Sequence, residues 1–79
     1  MKYEVHIGLK NGQSYTFFVI ASSKDEIINH IINKHGNGWY HFVSKEYVRY
    51  QVLKNEIIGI GISMNGEEVQ EYESNFENL

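Results

Sequence analysis

Ser14-Tyr15-Thr16-Phe17-Phe18-Val19-Ile20 is apolar on both faces that a β-strand offers: Tyr15, Phe17 and Val19 on one side, Phe18 and Ile20 on the other. A strand with one wet face alternates apolar with polar residues, and a near-continuous apolar run implies cover on both sides. A chain of 79 residues with one predicted helix covers only one side of a sheet well. What covers the other side is therefore the question with functional content.

Working outward from this strand, Lys2 to Leu9 alternates cleanly, and Asn11-Gly12 between the two strands is a strong hairpin signal. A two-residue Asn11-Gly12 loop pairs Gly8 with Tyr15, His6 with Phe17 and Val5 with Phe18. That register places Tyr3, Val5, Ile7, Leu9, Phe18 and Ile20 on the core face and leaves Tyr15, Phe17 and Val19 on the opposite one. It also lays the Tyr15 ring over Gly8, a device that supports glycine in strands.

Downstream, Ser23-Lys24-Asp25-Glu26 has capping-box spacing, and Ile27, Ile28, Ile31, Ile32 and His35 recur at helical intervals. A helix over 23–35 follows, with Gly36 as its left-handed cap. Strands are expected at Trp39–Val43, Tyr47–Leu53 and Ile57–Met64, the last with Ile58, Ile60, Ile62 and Met64 on the core face and Gly59, Gly61 and Ser63 behind. Asn65-Gly66 repeats the hairpin signal and predicts a sixth, acidic edge strand over Glu67–Glu73, with Tyr72 over Gly59. The expected fold is thus α+β: an antiparallel sheet of four to six strands, one helix on one face, order ββαβββ(β). It forms a single domain over residues 1–73 with a frayed tail at 74–79.

Composition excludes several chemistries. Hydrophobic residues make up 42% of the chain, enough for a folded core. The absence of cysteine removes disulfides, thiolate catalysis and Cys-based zinc sites. No run reaches the roughly 18 apolar residues of a membrane span, and the alternating N-terminus lacks the apolar block of a signal peptide, so a cytoplasmic location is expected. Isoleucine and asparagine are abundant and proline is absent, a bias that suits an AT-rich bacterial or phage genome. Residues 1–66 carry seven bases against five acids, and residues 67–79 carry five acids and no base. Neither segment is charged enough to announce a nucleic-acid partner.

Motifs for catalysis are weak. His30 and His35, five apart, diverge on a helix, where ligand pairs usually stand four apart, and no metal site is expected. Gly61-Ile62-Ser63-Met64-Asn65 lacks the closing glycine of a nucleophile elbow. Gly59-Ile60-Gly61 begins a dinucleotide fingerprint, but Met64 stands at the third glycine and a strand follows. These glycines suit sheet packing or the close approach of another backbone. No catalytic residue and no cofactor is assigned.

The expected function is a non-enzymatic protein-interaction module, either a homodimer or a small accessory or inhibitor protein. Its sheet face would carry Tyr15, Phe17, Val19, Trp39 and Tyr50 as anchors, since exposed apolar area of this kind marks interaction sites. The acidic 67–77 segment would steer the partner or pair at an edge. The alternative to an exposed aromatic face is a sheet that curls and buries both sides. The alternative function is single-stranded nucleic-acid binding through Trp39, Tyr40, Lys45, Arg49 and Tyr50, where stacking rings stand beside cations.

Overall fold

The computed structural model describes residues 1–33 and 38–76. They form an α+β fold of five strands in two antiparallel sheets, with two helices. The elements are β1 (Lys2–Leu9), β2 (Ser14–Ile20), α1 (Lys24–Asn33), β3 (Trp39–Val43), β4 (Arg49–Leu53), β5 (Ile57–Ile62) and α2 (Gly66–Phe76), with one 3₁₀ turn at Lys54–Glu56. The first sheet has the order β2-β1-β5, and the second is the β3–β4 hairpin.

The first hairpin is one residue out of the expected register. Val5 pairs with Phe17, Ile7 with Tyr15 and Gly8 with Ser14. The loop has three residues, Lys10-Asn11-Gly12: Leu9 N–H donates to Gln13 O at 2.8 Å, and Gly12 N–H to Leu9 O at 3.0 Å. Only Gly12 takes a positive φ, 89°, whereas a two-residue type I′ turn needs one at Asn11 as well. The Asn11 side chain instead accepts the Gln13 N–H at 2.9 Å and holds the wider turn. Because side chains alternate, a one-residue slip moves every side chain to the other face. Phe17 is therefore core, 1% exposed, while Phe18 and Ile20 are 44% and 84% exposed. The Tyr15–Gly8 pairing is absent.

What covers the aromatic face is the second sheet. The β3–β4 hairpin meets β2 through a bridge between Phe17 and Ser44 and a 2.7 Å hydrogen bond from Lys45 N–H to Thr16 O. Tyr40, Phe42 and Tyr50 then pack on Tyr15 and Phe17, with the Phe17 and Phe42 rings stacked at 4.6 Å and the Tyr15 and Tyr50 rings tilted at 4.4 Å. Ile27 and Ile31 of α1 complete the same core with Val5, Ile7, Leu9 and Val52. Tilted and offset ring pairs each add about 0.5–1.5 kcal/mol beyond area burial.

Helix α1 begins as expected. Ser23 Oγ accepts the Glu26 N–H at 3.2 Å, and the Glu26 carboxylate reaches back to the Ser22 N–H at 3.1 Å. The expected cap at Gly36 and the helix end at Lys34-His35 lie outside the described residues.

Two later elements differ. Strand β4 starts at Arg49, because Ser44 to Val48 repeats the first loop: Ser44 N–H donates to Val48 O, and Tyr47 N–H to Ser44 O. Tyr47 thus occupies the position of Gly12, with φ of 65°.

The predicted sixth strand is instead helix α2. Asn65 Oδ1 accepts the Glu68 N–H at 2.9 Å while Glu68 Oε1 accepts the Asn65 N–H at 3.1 Å, a reciprocal capping box. Val69, Tyr72 and Phe76 stand at helical intervals, and Glu67 and Glu68 sit at the positive end of the helix dipole. The Tyr72–Gly59 pair therefore does not form, and the expected frayed tail is helical as far as Phe76. An ion pair from Lys24 to Glu68 ties α2 to the start of α1.

Candidate protein-interaction groove

The anchors expected from sequence do not gather on one open face. Phe17 is buried, Tyr15, Val19 and Tyr50 are half-buried in or against the core, and only Trp39 is exposed. The nucleic-acid set is divided in the same way. Tyr40 and Tyr50 turn inward, Trp39 and Arg49 turn outward from β3 and β4, and the Lys45 ammonium is held by Glu4 at 3.2 Å.

The outer face of the first sheet carries a polar network. His6 Nδ1 lies 2.9 Å from Thr16 Oγ1 and His6 Nε2 lies 2.9 Å from Ser63 Oγ, so the ring bridges β2, β1 and the end of β5. Ser63 Oγ also donates to Glu4 Oε2 at 3.2 Å. Hydrogen bonds from Lys45 and then Ser63 hold the Glu4 carboxyl below its ordinary value, against an opposing effect of desolvation. A serine beside a histidine meets the distance condition for an activated nucleophile. Here the single Ser63 hydroxyl hydrogen goes to the Glu4 carboxylate, so Ser63 accepts from His6 Nε2–H and His6 is not placed to take its proton. The network satisfies and orders this face.

The candidate site is a groove between α1 and β5. It measures about 390 Å³ and is lined by Ile28, Ile31 and Ile32 of α1 and by Ile57, Ile58 and Ile60 of β5, with Lys54 at its end. Ile32 and Ile58 stand 57% and 67% exposed. Ile58 is out because the β1–β5 register shifts between Gly8 and Leu9, leaving Leu9 opposite Ile57 and Gly8 opposite Gly59. The sequence reading placed Ile58 and Met64 in the core; the bulge and the end of β5 at Ile62 bring both into solvent.

The groove runs along a sheet edge. In the order β2-β1-β5, β5 has β1 on one side and no described strand on the other. Ser63 N–H donates to Glu4 O, so Gly61 and Gly59 also turn their polar groups toward β1, and Ile60 and Ile62 turn theirs to the open edge. Natural edges are usually blunted with charge or proline. Residues 57–64 contain neither. That uncharged run, flanked by the isoleucine stripe of α1, was the available sequence signal. The acidic segment after it masks that signal, because its Asn65-Gly66 start predicts a covering strand where the chain forms α2.

Among the described residues, no group of three or more His, Asp or Glu is placed to hold a metal ion, and no helix is long and apolar enough to cross a membrane. The chain matches no known protein-family model, no curated protein and no solved structure.

Proposed function

We propose that this protein is a non-enzymatic protein-interaction module that takes an extended apolar segment along the edge of β5, over the α1–β5 groove. The observation that supports it is the coincidence of main-chain groups at Ile60 and Ile62 that face no described strand with exposed Ile32 and Ile58 beside them. Strand addition at a sheet edge draws affinity from main-chain hydrogen bonds and selectivity from pockets for alternate side chains. Covering each isoleucine contributes up to about 1.5–3 kcal/mol. The cysteine-free composition suits a reducing compartment, and we place the module in the cytoplasm.

A library of random linear peptides selected against the immobilised chain tests this reading. Selected peptides should alternate Ile, Val, Leu or Phe with small polar residues, and should lose binding to Ile58→Lys and Ile32→Lys. A library that yields no enrichment, or peptides that bind Ile58→Lys equally well, would refute it.

A further inference from the structure

The edge of β5 is complementary to itself, and this points to its occupant. Residues 57–64 read Ile-Ile-Gly-Ile-Gly-Ile-Ser-Met, with no charge to oppose a like charge when two copies run antiparallel. Ile60 and Ile62 are the two residues whose main-chain groups face outward, and Gly61 lies between them. An antiparallel pair centred on Gly61 is the register in which both outward residues meet outward residues. Ile60 of each copy then exchanges N–H···O bonds with Ile62 of the other.

Building on the edge-binding reading above, the geometry points to a second copy of this chain as the occupant. The β5 strands pair antiparallel about a two-fold axis at Gly61, joining two three-stranded sheets into one of six. Gly61 faces Gly61 in a pair that is not hydrogen-bonded, the closely spaced kind in which Cα atoms approach to about 4.5 Å.

The same register disposes of the exposed surface around the edge. Ile58 of one copy comes beside Met64 of the other, and both are exposed in the single chain. Each α1–β5 groove, which lies beside Ile57–Ile60, then faces residues 62–65 of the other copy, on either side of the axis. Beyond the paired strands, the turn Lys54–Glu56 of one copy lies toward the start of α2 in the other, and it brings one base and one acid to a helix start that carries Glu67 and Glu68. The interface is isologous and closed, so it ends at a dimer.

Because the chain has no cysteine, single cysteines report the register directly. At Gly59 an added Cβ meets nothing within 4 Å, and at Gly61 it meets only the His6 Cβ at 3.8 Å, an ordinary contact. Gly61→Cys should cross-link rapidly under copper–phenanthroline, because facing Cα atoms at that spacing fall within disulfide range. Gly59→Cys, which faces Ser63 of the other copy, should not cross-link. Sedimentation equilibrium should give twice the 9.2 kDa chain mass, falling to one chain mass in Ile58→Lys with an unchanged circular dichroism spectrum. In Phe18→Lys, on the outer face of β2, the doubled mass should persist.

A wild-type mass of one chain from high-micromolar protein downward overturns self-pairing. If library peptides still bind in that case, the edge-binding reading stands with a foreign partner. A dimer that survives Ile58→Lys, or that cross-links as fast through Gly59→Cys as through Gly61→Cys, overturns this register and this edge.

Discussion

Exchanging the two adjacent phenylalanines for leucine, one at a time, separates the observed register from the one an Asn-Gly turn suggests. Phe17 is 1% exposed, with its ring 4.6 Å from Phe42 and 5.9 Å from Tyr40. Phe17→Ala would cost about 3–5 kcal/mol, a large part of the roughly 4–12 kcal/mol available to a chain of this size. Phe17→Leu is the better probe: it keeps most of the apolar volume but loses both ring pairs, at about 1–2 kcal/mol. Phe18 stands on the outer face with the Lys2 ammonium 4.4 Å from its ring centroid. Phe18→Leu should cost no more than about 0.5–1 kcal/mol, mostly that cation–π contact. Urea unfolding with a common m-value measures both. If Phe18→Leu proves the costlier change, the register is wrong and the core faces are interchanged.

Three further outcomes follow from the same structure. Tyr47→Gly should raise stability by about 1 kcal/mol, since a tyrosine at φ of 65° carries the cost of the left-handed region and, being 91% exposed, little packing to lose. No gain in urea midpoint would mean that the tyrosine is held by something other than the turn. Asn65→Ala removes the acceptor for the Glu68 N–H and should cost α2 about 1 kcal/mol, seen as lost helical ellipticity; an unchanged spectrum would contradict the capping box. Finally, Glu4, Glu26 and Glu68 are held below the ordinary carboxylate value by Lys45, Ser22 and Lys24 respectively, each acting first through a hydrogen bond. Below about pH 4.5 the unfolded chain takes up protons before the folded one, so stability present at neutral pH should fall on acidification through the folded-state values. Burial raises the Tyr40 hydroxyl above 10.0, so its contribution is present below that pH and is lost as pH rises through the folded value. Urea midpoints across pH check both limbs, and a flat acid limb would contradict the three carboxylate contacts.

Much of the chain was legible because local signals agreed with one another. The alternation in Lys2–Leu9 and the apolar run Ser14–Ile20 each marked a strand, and the Ser23–Glu26 cap marked the start of α1 within a residue. The faces were not legible, and the cause lies at Asn11. Its side chain can support a left-handed residue or accept the Gln13 N–H, and the two choices differ by one residue of loop. The same dipeptide at Asn65-Gly66 served a third purpose as a helix start. There Glu68, three residues on, outweighed the hairpin signal. Tyr47 carries no mark in the sequence for its positive φ, so the start of β4 was placed two residues early. The candidate site was hidden by these misreadings together. With Phe17 assigned outward, the aromatic face looked like the unsatisfied surface, and with 67–73 assigned as a strand, the edge of β5 looked covered.

The central claim is that the open edge of β5 receives a strand, and amide hydrogen exchange at four consecutive strand positions tests it most directly. Gly59 and Gly61 donate toward β1 and should be protected at every protein concentration, whereas Ile60 and Ile62 should exchange fast in dilute protein and slow together as concentration rises. Ile60 and Ile62 amides that stay fast at every concentration, and remain fast with saturating library peptide, would contradict it.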